Sequence, residues 1–118
     1  MLPWSPLARG LLAGTRTRDG GKLTVRAETD PFGDSLYSED DFAVVDRVTE
    51  IAAERGVAGA QVALAWLLQR PGVTAPIVGA TKAAHVEDAL AAEELELTVE
   101  EVARLEELYV PHAVAGHE

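Results

Sequence analysis

With 118 residues, 47% of them hydrophobic, the chain has the size and composition of one soluble globular domain, which excludes disorder along its whole length. A formal net charge of -10 opposes a nucleic-acid or anionic-membrane partner, because such polyanions are held by Lys and Arg that neutralise phosphates. The absence of cysteine removes disulfides, thiolate metal sites and cysteine nucleophiles, and His85, His112 and His117 form no H-x-x-x-H zinc pair, so no metal site is expected.

Residues 1–12 read as the end of a strand running into a loop. Leu2-Pro3-Trp4-Ser5-Pro6-Leu7-Ala8-Arg9-Gly10-Leu11-Leu12 sets two prolines and a glycine in an apolar stretch, which opposes a regular helix. This start has neither the basic nor the long apolar region of a signal peptide. No apolar run approaches the ~20 residues of a membrane span, so the expectations are a cytoplasmic location and no membrane partner. A buried-looking segment with Trp4 and Leu7 at the very start reads as an entry into the middle of something larger. Residues 13–39 are polar and glycine-rich, and roughly 25 residues without periodicity predict a long mobile loop. Phe32 to Tyr37 is a candidate tether for it.

Paired helices are predicted over 40–69. Ser38 or Asp40 can cap the first, whose apolar positions Phe42, Val45, Val48, Ile51 and Ala52 recur at helical spacing until Arg55-Gly56, with the glycine as C-cap. The second, from Ala60 to Gln69, is apolar on most faces and stops at Arg70-Pro71-Gly72, and its spacing predicts Trp66 in the core. Residues 73–79 form an apolar run too short for a helix, read as the last strand, buried on both faces. Residues 83–118 hold the terminal helices and a tail. A helix over 83–93 is expected to turn Val86, Ala89 and Leu90 inward. Thr98-Val99-Glu100-Glu101 is a capping box opening a final helix with Val102, Leu105 and Leu108 on one face. The acidic surplus of these late helices reads as solvated faces.

No catalytic constellation is visible. Adjacent carboxylates such as Asp40 and Asp41 point apart on a helix, and neither a G-x-S-x-G turn nor a G-x-G-x-x-G fingerprint occurs. Two anion sites are better candidates. In Pro76-Ile77-Val78-Gly79-Ala80-Thr81-Lys82 a strand ends at a glycine and passes into a helix start, where free N–H groups, a threonine hydroxyl and a lysine ammonium suit phosphate or carboxylate. The same Gly and Thr also serve any strand-to-helix connection without a ligand. The second cluster, Ser5 to Gly10, brings hydroxyl, guanidinium and backbone N–H beside Trp4. The two together suit a nucleotide, with Trp4 either a flat surface for a ring or a core residue.

Trp4-Ser5-Pro6-Leu7-Ala8-Arg9-Gly10-Leu11-Leu12, then Gln61-Val62-Ala63-Leu64-Ala65-Trp66, then Pro76-Ile77-Val78-Gly79-Ala80-Thr81-Lys82, in this order and spacing, resemble the C-terminal part of an aldo/keto reductase. The similarity runs from Leu2 through Tyr109. It implies an α/β fold, the C-terminal part of a (β/α)8 TIM barrel, incomplete and mostly helical with one or two short strands. NADPH binds at the C-terminal ends of the strands in that family, where barrel active sites lie. By this resemblance Trp4 stacks on the nicotinamide and Ser5, Leu7, Arg9 and Gly10 wrap the pyrophosphate. Gly79, Thr81 and Lys82 hold the adenosine phosphate with help from His85, where the family often has Arg or Gln. Asp88 matches an acidic residue near the adenosine, and Ala89 stands where many members have Asn.

The resemblance further implies reduction of small-molecule aldehydes and ketones by hydride transfer in the complete enzyme. The family's catalytic Asp, Tyr, Lys and His have no counterpart here, since Tyr37 and Tyr109 do not match the acid tyrosine. A barrel of ~250 residues would make this chain a fragment supplying cofactor-binding elements only. The contrasting expectation is an inactive remnant or a helical interaction module that self-associates through exposed barrel edges.

Overall fold

The computed structural model describes residues 2–3, 6–7, 12, 39–80 and 82–111. Of the loop expected over 13–39 only Glu39 falls among them, already helical, and the tail from His112 lies outside them as well.

The first helix, α1, spans Glu39–Arg55. Glu39, Asp40 and Asp41 in its first turn and Arg55 in its last complement the helix dipole at both ends. Val45, Val48, Ile51 and Ala52 are buried, as their spacing predicts. Gly56 ends the helix at φ +69°, a conformation L side chains resist. Its N–H donates to Ala53 O (3.3 Å) and that of Val57 to Ala52 O (3.0 Å), the Schellman pattern, with Val57 packed on the core beyond the cap.

Helix α2, Gly59–Leu68, begins two residues later. A Cβ on Gly59 would lie 3.3 Å from the Leu12 carbonyl oxygen and 3.6 Å from Val48 Cγ1, so glycine lets the N-terminal segment approach this helix closely. Val62, Ala63, Leu64 and Ala65 are buried in succession, which requires cover on more than one side. That cover comes from α1 and from α3, Ala83–Glu94. The stop after α2 is a turn in which Val73 N–H donates to Arg70 O (3.3 Å), with Pro71 at its second position and Gly72 at φ +85° at its third, as a type II turn demands.

Helix α4, Val99–Glu106, packs on α1. The capping box is formed: Thr98 Oγ1 accepts from Glu101 N–H (3.1 Å) and Glu101 Oε1 accepts from Thr98 N–H (2.9 Å). The core lies where α1, α2 and α4 meet, at Val48, Ile51, Ala52, Val62 and Leu105, bordered by Leu12, Val57, Trp66, Leu95 and Leu97.

Four expectations are corrected. Trp66 is half-buried at the rim of the core, where its indole N–H donates to Glu106 (2.9 Å) and the Arg70 guanidinium lies 5.1 Å from its ring centre. The indole has a polar edge to satisfy, and the rim supplies an acceptor. Residues 73–79 make one bridge, at Ile77, and Ile77 is 56% exposed; apolar sequence alone does not bury a strand that few neighbours pair. In α3 it is Ala92 that is buried, while Val86 and Leu90 are 49% and 63% exposed. Finally, the late acids are more than solvated faces, because Glu101, Glu106 and Glu107 pair with Arg55, Arg70 and Arg47.

Candidate functional site: the N-terminal motif and the start of α3

The two sequence motifs proposed for anion binding are joined by backbone. Ile77 N–H donates to Pro3 O at 2.8 Å. Pro3 immediately precedes the motif of residues 4–12, and Ile77 stands two residues before Gly79, so one hydrogen bond ties the beginnings of both motifs. Within the first motif, Leu12 N–H donates to Leu7 O (3.1 Å), and both leucines are half-buried. The Leu12 carbonyl rests against Gly59, which anchors this end to α2.

Past the bridge, Gly79 is exposed and the chain reaches Lys82, the N-cap of α3, in extended conformation (φ -137°, ψ 151°). Lys82 O accepts from His85 N–H (3.1 Å), closing the first turn. No side chain caps this start through Lys82, and the first turn carries no acidic residue. The N–H groups of a helix's first turn favour anionic acceptors, and here an ammonium-bearing side chain stands beside them. The N-cap of α2, Ala58, also lacks a side-chain cap. Helix α4 satisfies its own start with Thr98 and Glu101.

One turn further along α3, half-buried Asp88 accepts from Gln61 Nε2 of α2 at 2.9 Å (Oδ1). Among the predicted site residues, Gly79, Lys82, His85 and Asp88 thus follow one another from the bridge into α3, with Leu7 on the motif tied to that bridge. Trp4, Ser5, Arg9, Gly10 and Thr81 lie outside the described residues. Gln61 is the neighbour that sequence reasoning passed over; a polar amide in the first turn of a helix that is otherwise almost wholly apolar was the available signal. Among the described residues no group of three or more His, Cys, Asp or Glu could hold a metal ion, and no single helix is long and apolar enough to cross a membrane.

The chain belongs to the aldo/keto reductase family, whose sequence model matches residues 1–110. The family fold is a (β/α)8 barrel; the described residues supply helices and one bridged segment of such an architecture. Among curated proteins it is similar to the aldo-keto reductase dtxS3 of Metarhizium robertsii, 47% identical over 99% of this chain and 31% of that protein. It is also similar to the versiconal hemiacetal acetate reductase of Aspergillus parasiticus, 42% identical over 97% of this chain and 33% of the relative. The aldo-keto reductase AMT2 of Alternaria alternata is 39% identical over 99% and 31%. The chain therefore spans about a third of the length of the curated relatives it matches.

Proposed function

We propose that this chain supplies the NADPH-binding elements of an aldo/keto reductase that reduces small-molecule aldehydes and ketones in the cytoplasm. The observation that carries the reading is the Ile77 to Pro3 hydrogen bond, because it joins two motifs that are far apart in sequence and that the resemblance assigns to one cofactor. The donor set fits a phosphate: a helix start with no carboxylate in its first turn and with Lys82, whose side chain makes no capping bond, as N-cap. In this reading Lys82, Thr81 and Gly79 bind the adenosine phosphate, with His85 beside them. Asp88 accepts from the adenosine end, Ser5, Leu7, Arg9 and Gly10 enclose the pyrophosphate, and Trp4 faces the nicotinamide. Bound NADPH supplies the hydride.

No residue of this chain is assigned a catalytic role, and the purified 118-residue protein is expected to bind cofactor without turning over carbonyls. The binding half is tested by calorimetric titration with NADPH and NADH. Lys82→Ala should weaken NADPH roughly tenfold, the worth of one charge-assisted phosphate contact, with an unchanged melting temperature. Equal affinity in the variant and the parent would remove Lys82 from the site. His85 and Ala89, where the family more often has Arg or Gln and Asn, predict a modest preference for NADPH over NADH. Measurable carbonyl reduction by the chain alone would sink the division of labour.

A second reading rests on a different observation. Ile77, Val86 and Leu90 expose apolar side chains, which favours a non-enzymatic module or remnant that self-associates. Size-exclusion chromatography with light scattering separates the two. A monomer stabilised by NADPH supports the cofactor reading, and an oligomer indifferent to NADPH supports the other.

A further inference from the structure

Helix α2 carries a polar side chain to the candidate site. Gln61 donates from Nε2 to Asp88 Oδ1 at 2.9 Å, and both residues are half-buried. Around it α2 reads Gly-Ala-Gln-Val-Ala-Leu-Ala, and Val62 next to it is fully buried. Partly burying an amide costs free energy unless it is hydrogen-bonded, so packing of α2 on α3 does not by itself call for glutamine at this position. What glutamine adds is a fixed partner for a carboxylate. Asp88 and Ala92, four residues apart, share the face of α3 that turns to α2.

An aspartate side chain left to itself divides among staggered rotamers, and a ligand that needs one of them bears the ordering cost on binding. The bond to Gln61 occupies Oδ1 and selects a rotamer in advance. Oδ2 is then the oxygen offered to a donor such as an amino group. We infer that Gln61 is a positioning residue for the cofactor, orienting the Asp88 carboxylate so that the adenosine end of NADPH meets a preset acceptor. This rests on the cofactor-binding reading above and adds to it a role for a residue of α2, outside both anion motifs.

The test is a double-mutant cycle on ligand affinity in the full chain, using Gln61→Leu, Asp88→Ala and the double variant. The probes are NADPH, adenosine 2′,5′-bisphosphate and nicotinamide mononucleotide. Gln61→Leu should weaken NADPH and the bisphosphate roughly three- to tenfold, the range of one hydrogen bond, and leave the mononucleotide unaffected. In the Asp88→Ala background the same change should cost nothing further, because its effect passes through Asp88. An undiminished affinity in Gln61→Leu, or an equal loss with and without Asp88, overturns the positioning role; the second result would mark Gln61 as a helix tie only. If Gln61→Leu does not fold, Gln61→Glu keeps the size, replaces the donor by an acceptor, and is read in the same cycle. A parent protein that binds neither NADPH nor the bisphosphate overturns the cofactor reading itself, whereas a parent that binds both while the variants match it removes only the Gln61 assignment.

Discussion

The side of the molecule where α1 meets α4 and the side where α3 follows the Ile77 bridge are built on opposite plans. Between α1 and α4, Val48, Ile51, Ala52 and Leu105 are buried, and the seam is closed by arginines. Arg55 makes two hydrogen bonds to the Glu101 carboxylate (2.6 and 2.5 Å) and a third to Glu96 O (2.7 Å). Arg104 reaches back to Glu54 and Glu50, and Arg47 to Glu107. On the other side α3 buries Ala92, leaves Val86 and Leu90 exposed, and begins without a side-chain cap at Lys82. The contrast teaches that the groups which stabilise the fold and those which could meet a ligand are segregated. The α1–α4 side has satisfied its helix start internally with Thr98 and Glu101, whereas α3, though packed closely on α2, leaves Val86 and Leu90 to solvent beside its start at Lys82.

The sharpest way to break this contrast is to attack the core. Ile51 is fully buried, so Ile51→Ala should destabilise by about 2–5 kcal/mol through lost transfer energy and a residual cavity. Chemical denaturation followed by circular dichroism reads this directly. A loss below about 1 kcal/mol would mean that the α1–α4 side is not the stable half.

A smaller effect is expected at the clasp. Arg55→Ala strips the Glu101 carboxylate, whose side chain is 13% exposed, of its main partner and should cost about 1–3 kcal/mol. The same pair predicts a pH dependence. Hydrogen bonding from Arg55, aided by the Thr98 N–H, lowers the Glu101 carboxyl to about 2 from its ordinary 4.5. A carboxylate whose pKa is depressed by folding adds stability that is complete above the ordinary value and is lost as pH falls through the folded one. Stability should therefore decline between roughly pH 4.5 and 2, by about 1–2 kcal/mol after solvent screening. Glu54, lowered by its hydrogen bond to Arg104, adds to the slope with the same sign. In Glu101→Gln the decline should shrink to what the remaining acids supply; an unchanged profile would dissociate the clasp from acid sensitivity.

Much of the packed half was legible in the sequence. The spacing of Val45, Val48, Ile51 and Ala52, the glycine at 56 and the Thr98-to-Glu101 box each specify local geometry through one physical rule, and each is formed. The other half was less legible because its outcome depends on neighbours. Helix α3 is apolar on two sides, and periodicity does not say which one turns inward. The side with Ala92 wins because small side chains let α3 lie close to α2, and Val86 and Leu90 are left outward. The run of residues 73–79 is as apolar as a buried strand, yet its burial is decided by what pairs with it. At the candidate site the ordered motifs gave away the family. The bond from Ile77 to Pro3 and that from Gln61 to Asp88 join segments that no local pattern connects.

The weakest expected effect tests the exposed side most directly. Val86→Ser and Leu90→Ser remove apolar surface that already meets water, so each should change stability by no more than about 0.5 kcal/mol, in contrast to Ile51→Ala. If either costs more than about 1 kcal/mol, the face is covered in solution. A second copy of the chain would then make the unfolding midpoint rise with protein concentration in the parent and not in the variants. A large cost without concentration dependence would instead place another part of the same chain over α3, and the division into a packed and an open half would have to be redrawn around that contact.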